Sequence, residues 1–287
     1  MRKRSAAWPD VRRCAPLPTS DLLFLTRALT AAVLLAAFIA ALYWLERIQF
    51  AMVVSVVVGI GGYEWTRLGS AGRALAAGYG AVCAGICFSL AQSSGVAPWI
   101  CAVAGVFWIT VAPYWLARGF RTAPVGAEMA VGAVVLIPAG LAMTALPADQ
   151  LMMILGLIWI SDTGAYLAGR ACGRRRLAPA ISPGKTWEGV AGGAMGCVIY
   201  AIIWVFFDSD LSTRVQGFVW VPFLAGTLLL CALGILGDLF ESALKRRAGA
   251  KDSGKLLPGH GGVLDRIDSA TATLPMALLL MQAIGAT

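Results

Sequence analysis

The stretch that decides the fold is residues 217–239, GFVWVPFLAGTLLLCALGILGDL, in which Asp238 is the only charged residue. As an α-helix, about 20 such residues cross the ~30 Å hydrocarbon layer of a bilayer. Similar runs recur along the chain, so that 59% of its 287 residues are hydrophobic and 13% are charged. A typical soluble domain has about 25% charged residues. The sequence therefore predicts an integral-membrane protein and excludes an ordinary soluble fold.

Apolar runs bounded by charged or turn residues predict an all-α, polytopic membrane protein with about nine transmembrane helices. The runs are 27–46, 49–66, 74–93, 97–117, 124–146, 151–169, 188–207, 217–239 and 267–285. Residues 1–26 are interpreted as a cytoplasmic tail, because a basic leader of this length without a clear small-residue cleavage site is not typical of a secretory signal. The rest divides into an N-terminal bundle, 27–150, with about five helices, and a C-terminal catalytic region, 151–287, with about four.

The cationic residues alternate between the two sides of the predicted bundle. Of 23 Lys and Arg, 21 fall in the tail and the even-numbered loops, and only Arg47 and Arg214 fall on the other side. The positive-inside rule then places the N-terminus and the even loops in the cytoplasm and the C-terminus outside, with the chain in the cell (inner) membrane. Because the cations lie between apolar runs and form no stripe on a soluble face, membrane lipids and not nucleic acid are the expected partners.

Two aspartates are predicted at the cytoplasmic end of apolar runs. An Asp at the centre of a membrane helix costs ~2.5 to 3.5 kcal/mol, so Asp162 and Asp238 are expected to face a polar cavity or a partner. On a continuing helix Asp238, Ser242 and Lys245 occupy positions i, i+4 and i+7 and share one face. Such a face can hold a cation and a phosphate together. Taken alone, it can equally be a helix end anchored among lipid headgroups by ordinary charges.

The following loop favours the chemical interpretation. Residues 242–268 contain six cations, three acids and five glycines. Glycines let the backbone amides approach anionic oxygens, and Lys and Arg neutralise phosphate charge. Asp265 and Asp268, three positions apart, can present carboxylates from one helical face, and such hard oxygen ligands suit Mg²⁺. His260 is a weak signal, because a single His more often orients a loop than carries out acid–base chemistry.

A second loop contains Ser182-Pro-Gly-Lys185-Thr. Its Gly-Lys-Thr sequence is similar to a phosphate-binding P-loop, but Pro179 stands where the motif needs its first glycine, so this is not a Walker motif. Ser182 before Pro183 instead predicts a helix start. Lys185 would then lie near the N-terminus of the seventh span, where amides and an ammonium can hold a phosphate.

These segments together resemble the phosphatidate cytidylyltransferases (CDP-diacylglycerol synthases). Residues 242–268 match the family signature throughout, with its Ser-x-Leu-Lys-Arg start, Lys-Asp-x-Gly step, Leu-Pro-x-His-Gly-Gly turn and Asp-Arg-Ile-Asp close. Two further segments, 162–170 and 181–189, are similar to other family stretches, so the resemblance covers about the last 130 residues. One departure is Gly184, where members often carry a second lysine, so phosphate binding there depends on Lys185.

The resemblance implies transfer of the cytidylyl group of CTP to the phosphate of phosphatidic acid, with release of pyrophosphate. The catalytic residues assigned on this basis are Asp238, Ser242, Lys245 and Asp265. The substrate-binding residues are Asp162, Ser182, Lys185, Arg246, Lys251, His260 and Arg266. Among them, Lys245, Arg246 and Lys251 are assigned to the CTP phosphates, and Lys185 and Arg266 to the lipid phosphate or pyrophosphate.

The cofactor implied is Mg²⁺, held by Asp238, Asp265 and Asp268, and a second, monovalent cation beside it is left open. Helix faces rich in small residues permit a homodimer without requiring one.

Two other functions are weighed against this one. An ion-coupled transporter would use Asp162 and Asp238 as ion sites, but the halves of the sequence show no repeat and the polar residues crowd at one predicted membrane surface. A CTP-dependent lipid kinase would transfer the γ-phosphate and leave CDP. The complete signature favours the cytidylyltransferase over both.

Overall fold

The computed structural model describes residues 19–69, 71–119, 124–257, 259 and 261–285, and almost all of them are helical. The elements are α1 Thr19–Trp44, α2 Arg47–Leu68, α3 Arg73–Ala91, α4 Ala97–Val106, α5 Ala112–Arg118, α6 Val125–Ala145, α7 Ala148–Cys172, β1 Arg176–Ala178, β2 Ser182–Thr186, α8 Trp187–Phe207, α9 Ser209–Arg214, α10 Trp220–Arg247 and α11 Leu264–Ala283. A π-helical turn, Phe107–Val111, joins α4 to α5, and a 3₁₀ turn, Gly217–Val219, leads into α10. Each of the nine predicted spans falls on a helix. Predictions for residues 1–18 and for His260 lie outside the described residues.

Seven helical stretches in the described part of the chain are long and apolar enough to cross a membrane. They are Arg47–Leu68, Arg73–Ala91, Ala97–Arg118, Val125–Ala145, Ala148–Cys172, Trp187–Phe207 and Gly217–Arg247. Residues 28–44 of α1 form a shorter apolar helix. The first turns of α11 carry Asp265, Arg266 and Asp268, and α11 is not among the seven. The prediction of an all-α, multi-pass membrane protein is confirmed, and the count of nine and the sidedness stay predictions.

Large apolar side chains cover the outside of the bundle. Trp44, Trp99 and Phe207 are 84%, 78% and 87% exposed, and all three lie close to helix ends. Aromatic side chains are enriched where a membrane protein meets the two bilayer interfaces. Their exposure is therefore expected of a surface that contacts lipid and not water.

Glycines allow the helices that carry the polar residues to pack closely. A Cβ atom added to Gly237 of α10 would lie 2.5 Å from the carbonyl oxygen of Asp268 in α11, and one added to Gly164 of α7 would lie 2.9 Å from the Gly192 carbonyl oxygen in α8. Only a residue without a side chain permits such an approach. The contact at Gly237 brings Asp268 next to Asp238, the residue that follows Gly237.

An aromatic cluster fixes α10 beside Asp238. The Phe240 ring is 1% exposed and stacks on Trp65 and Trp115, with centroid distances of 6.3 and 6.4 Å. Phe107 and Trp108 meet the same ring edge-on at 5.6 and 5.3 Å. Aromatic pairs in these geometries add about 0.5 to 1.5 kcal/mol each beyond the burial of their area. Phe240 thus ties α10 to α2 and to the α4–α5 rod, two residues from a predicted catalytic carboxylate.

The predicted helix start at Ser182 is wrong. Residues 176–178 and 182–186 form an antiparallel hairpin in which Arg176 pairs with Thr186 and Ala178 with Ser182. Because Pro183 biases Ser182 towards extended backbone, β2 continues to Thr186. Helix α8 begins at Trp187, where the Thr186 hydroxyl accepts a 3.1 Å hydrogen bond from the Gly189 amide. Lys185 therefore projects from a strand and not from a helix.

Candidate active site

A first ion pair, between Lys185 and Asp238, joins the hairpin to α10. We call this pair, together with Ser242, the open centre. The Lys185 ammonium lies 2.5 Å from Oδ2 of Asp238, and the two side chains are 25% and 29% exposed. The Ser242 hydroxyl donates a 3.2 Å hydrogen bond to Oδ1 of Asp238. A carboxylate, a hydroxyl and an ammonium therefore meet where water can reach them.

A second group, the buried centre, joins α10 to α11. The Lys245 ammonium lies 2.6 Å from Oδ1 of Asp265 and 2.5 Å from Oε2 of Glu241. The side chains of Lys245, Asp265 and Glu241 are only 12%, 6% and 4% exposed. The contact with Glu241 is an ion pair, and neither carboxylate oxygen of Glu241 accepts a well-aligned hydrogen bond from another described residue. One ammonium thus contacts two buried carboxylates.

The predicted face of α10 forms only in part. Ser242 contacts Asp238 as its i, i+4 spacing predicts, whereas Lys245 turns to Glu241 on its own helix and to Asp265 across the interface. The sequence placed all three on one face but did not identify these carboxylates as the partners of Lys245.

The part of the family signature that connects α10 to α11, which we call the signature loop, closes around the second oxygen of Asp265. Oδ2 accepts hydrogen bonds from the amides of Ser253 and Gly262, at 2.9 and 2.8 Å, and from the Ser253 hydroxyl at 3.1 Å. Charge-assisted bonds of this kind are about twice as strong as neutral ones. Asp265 therefore holds both ends of the loop while its other oxygen contacts Lys245.

Glu64 of α2 is a site residue that the sequence analysis missed. Its carboxylate is buried, and the residue is 4% exposed. It accepts hydrogen bonds from the amides of Val263 and Leu264, at 3.1 and 2.8 Å. It also lies 2.9 Å from the Ser253 hydroxyl, whose single proton it shares with Oδ2 of Asp265. Because Leu264 begins α11, the negative charge also meets the positive end of that helix dipole. The sequence signal that could have identified Glu64 was the presence of an acidic residue within the apolar run 49–66.

Two further aspartates lie near the open centre. Asp162 of α7 interacts electrostatically with Asp238 and Lys185, and Asp268 of α11 interacts with Asp238, Lys245 and Asp162. The structure therefore brings the predicted residues of three helices and the hairpin into one region.

The fit to Mg²⁺ can be tested on these carboxylates. No three His, Cys, Asp or Glu side chains in the described part of the chain converge tightly enough to form a metal cage. Mg²⁺ is usually bound by one or two carboxylates together with substrate phosphates and water, so it does not need such a cage. Asp268 fits this pattern, because among its contacts with the described residues only its Oδ1 accepts a hydrogen bond, from the Ser269 amide. Asp238 and Asp265 fit it less simply, because both oxygens of each already accept contacts.

The remaining predicted residues lie around these centres. The Arg246 guanidinium donates to the carbonyl oxygens of Ile181 and Ala250, each at 3.3 Å, and so links α10 to the hairpin. Lys251 and Arg266 are exposed, and Ser182 lies on β2 without joining either centre. His260 lies outside the described residues.

Comparison with known proteins identifies the family of the chain. The model of the cytidylyltransferase family matches residues 25–284. The chain therefore belongs to the cytidylyltransferase family and is a nucleotidyltransferase.

The relatives give a more particular name. The chain is 36% identical over 278 residues to a phosphatidate cytidylyltransferase of Pseudomonas aeruginosa, covering 90% of this chain and 97% of the relative. Proteins of the same name from Haemophilus influenzae and Staphylococcus haemolyticus are each 46% identical over 128 and 126 residues, which is 44% of this chain and 43% and 46% of theirs. The resemblance found in the signature is confirmed.

Proposed function

We propose that this protein transfers the cytidylyl group of CTP to the phosphate of phosphatidic acid, giving CDP-diacylglycerol and pyrophosphate. The observation that carries the proposal is the meeting of the open and buried centres at the ends of α10 and α11. Both centres pair lysines with carboxylates, and the residues come from the hairpin, α10, α11 and the signature loop. The names of the relatives support the same reaction.

The reaction requires neutralisation of the substrates' negative charge more than it requires a general base. A lipid phosphate is already a competent nucleophile, so an in-line displacement at the α-phosphorus needs the two substrates aligned and their repulsion reduced. Lys185 sits on the accessible side of Asp238 and can exchange that carboxylate for a phosphate. Ser242 orients Asp238, and Lys245 fixes Asp265. Arg246, Lys251 and Arg266 supply further positive charge for the substrate phosphates.

Mg²⁺ is the cofactor that this reaction calls for, and Asp238, Asp265 and Asp268 are the residues we propose to hold it. When bound, the ion would draw negative charge from the transferring phosphate and its pyrophosphate leaving group. The Asp238 and Asp265 carboxylates are each already in contact with a lysine, which orients them.

We place the site at the cytoplasmic face of the inner membrane. The open centre follows the apolar stretch of α10, at the end that carries Lys245, Arg246 and Arg247 in its last turn. A cationic helix end of this kind is expected on the cytoplasmic side. The acyl chains of the lipid can then remain in the bilayer while its headgroup meets soluble CTP.

Product analysis tests the reaction. The purified protein in detergent would be incubated with phosphatidic acid, Mg²⁺ and CTP labelled at the α-phosphorus. We expect label in the lipid phase, one pyrophosphate released per lipid labelled, and loss of both products when EDTA removes the metal. Formation of CDP with no label in the lipid would identify a lipid kinase and overturn the proposal.

A further inference from the structure

A wide groove lies on the outer side of the bundle, between α2, α3 and residues 250–256 of the signature loop. Its volume is about 1310 Å³. Neither Lys185 nor Asp238 lines it, so it is separate from the open centre. It has two parts of different chemistry.

The part between the helices is apolar, and α2 and α3 approach each other closely at its floor. Its floor is the crossing of α2 and α3, where a Cβ atom on Gly59 would lie 2.9 Å from the Gly80 carbonyl oxygen. Ala77, Ala81 and Ala84 line the floor beyond it. Both helices are apolar enough to span the membrane, and Val56, Ala77 and Ala81 are exposed in this part, as expected of a surface that contacts lipid. A shallow apolar channel along a membrane helix pair suits an acyl chain.

The part beside the loop is cationic. Arg67 comes from the last turn of α2, Arg73 begins α3, and Lys251 and Lys255 come from the loop, and all four are exposed. Arg67 donates one hydrogen bond to the Ala71 carbonyl oxygen at 2.7 Å, which leaves its other N–H groups available. Arginine presents a fork of donors that matches phosphate oxygens.

The acids of the groove do not cancel this charge. Glu64 lines it but is buried and directs its carboxylate to the Val263 and Leu264 amides and the Ser253 hydroxyl. Asp252 is the other acid among the lining residues. An apolar channel that ends in four cations matches the two ends of an anionic lipid.

The groove is also joined to the catalytic region. Ser253 lines the groove, and its amide and hydroxyl both contact Oδ2 of Asp265. A single buried residue thus connects the groove to a carboxylate of the buried centre.

We propose that this groove is the docking site of the lipid substrate, with an acyl chain between α2 and α3 and the phosphate monoester among Arg67, Arg73, Lys251 and Lys255. The inference rests on the proposed cytidylyl transfer and assigns Lys251 to the lipid instead of to CTP. The first half of the chain, which carries no sequence motif, then supplies the lipid specificity.

Steady-state kinetics in mixed micelles tests the headgroup contacts. We expect Arg67→Gln/Arg73→Gln to raise the KM for phosphatidic acid about tenfold, as the loss of charge-assisted hydrogen bonds predicts, with the KM for CTP unchanged. Arg118→Gln is the matched control, because Arg118 is an exposed arginine outside the groove, placed 5.0 Å above the Tyr114 ring. An equal rise in both KM values, or none in that for phosphatidic acid, would overturn the assignment.

Photolabelling without CTP separates this inference from the proposed reaction. Phosphatidic acid with a photoreactive acyl chain, in phosphatidylcholine vesicles, should label α2 and α3, and Ala81→Phe should abolish the labelling by filling the channel. Ala74→Phe, on an exposed position of α3 outside the groove, should leave it intact. Labelling of other helices, or equal labelling by photoreactive phosphatidylglycerol, would contradict the site. Normal labelling in a protein that transfers no cytidylyl group would refute the reaction and not the groove.

Discussion

The two lysine–carboxylate centres are built from the same kinds of group but differ in their access to water, and the buried centre has two carboxylates where the open centre has one. In the open centre the Lys185 and Asp238 side chains retain 25% and 29% of their surface, whereas in the buried centre Lys245, Asp265 and Glu241 retain 12%, 6% and 4%. Separating an exposed pair costs little, but removing one partner of a buried pair leaves an uncompensated charge. On the proposed function, we therefore expect the open centre to exchange a partner for a substrate phosphate, while Asp265 of the buried centre holds the signature loop through two of its backbone amides.

The largest effect on stability is expected from Lys245→Met. The substitution leaves Glu241 and Asp265 buried without their shared cation, so the free energy of unfolding should fall by about 3 to 5 kcal/mol. Titration of the micellar protein with a denaturing detergent measures it. Glu241→Gln/Lys245→Met removes one carboxylate with the ammonium and should recover much of the loss. An unchanged unfolding midpoint in Lys245→Met would show that the buried centre is not structural.

Asp238→Asn, in contrast to Lys245→Met, should lower turnover and leave stability almost unchanged. We expect turnover to fall about 100-fold, because a positioned charge at a phosphoryl-transfer site is lost. The unfolding midpoint should stay near that of the wild type, because the pair with Lys185 is accessible to water. Asp210→Asn, which breaks the exposed pair between Asp210 and Arg214, is the matched control and should alter neither property. Turnover within twofold of the wild type would remove Asp238 from the catalytic residues.

Glu64→Gln tests whether the motif-free half of the chain positions the signature loop. The amide retains one acceptor oxygen but loses the charge that three donors now share, so we expect a tenfold fall in kcat with little change in either KM. Hydrogen exchange should become faster at the Ser253, Val263 and Leu264 amides. Glu46→Gln, at an exposed acid preceding the same helix, should leave both readouts unchanged. A normal exchange rate in Glu64→Gln would contradict the positioning role.

The smallest effect is expected at the pair between Glu128 of α6 and Arg247 of α10. Their charged atoms lie 2.8 Å apart, with side-chain exposures of 16% and 20%. Because this pair is more exposed than the buried centre, a double-mutant cycle with Glu128→Gln and Arg247→Gln should give a coupling energy of about 1 kcal/mol. A coupling as large as that expected at Lys245 would mean that exposure does not decide the strength of these pairs.

The sequence predicted the helices well because a membrane span is a local property. Each apolar run must satisfy its own backbone hydrogen bonds in lipid, so composition alone locates α2, α3 and α10. The hairpin was missed because, unlike a membrane span, it depends on pairing between two segments of the chain. Extended backbone at Ser182 depends on Pro183 and on pairing with Ala178, and the pattern favoured a helix start instead.

The site was predicted as a set of residues but not as a set of contacts. The pairing of Ser242 with Asp238 follows from helical spacing, so it was accessible to sequence reasoning. Glu64 was not, because its partners lie 189 to 200 residues away and belong to no shared motif with it. Lys245 was placed on the correct helix, but its partner Asp265 depends on how α11 packs on α10.

Lys185→Met, compared with Arg176→Gln on the same hairpin, tests most directly whether the open centre performs the transfer. Single-turnover labelling of phosphatidic acid from α-labelled CTP would be followed beside the unfolding midpoint of each variant. The division of roles predicts that Lys185→Met loses labelling and unfolds like the wild type, while Arg176→Gln, whose guanidinium contacts the Pro183 carbonyl oxygen, retains both. Full labelling by Lys185→Met, or a loss of stability that accounts for its inactivity, would contradict the assignment of catalysis to the open centre.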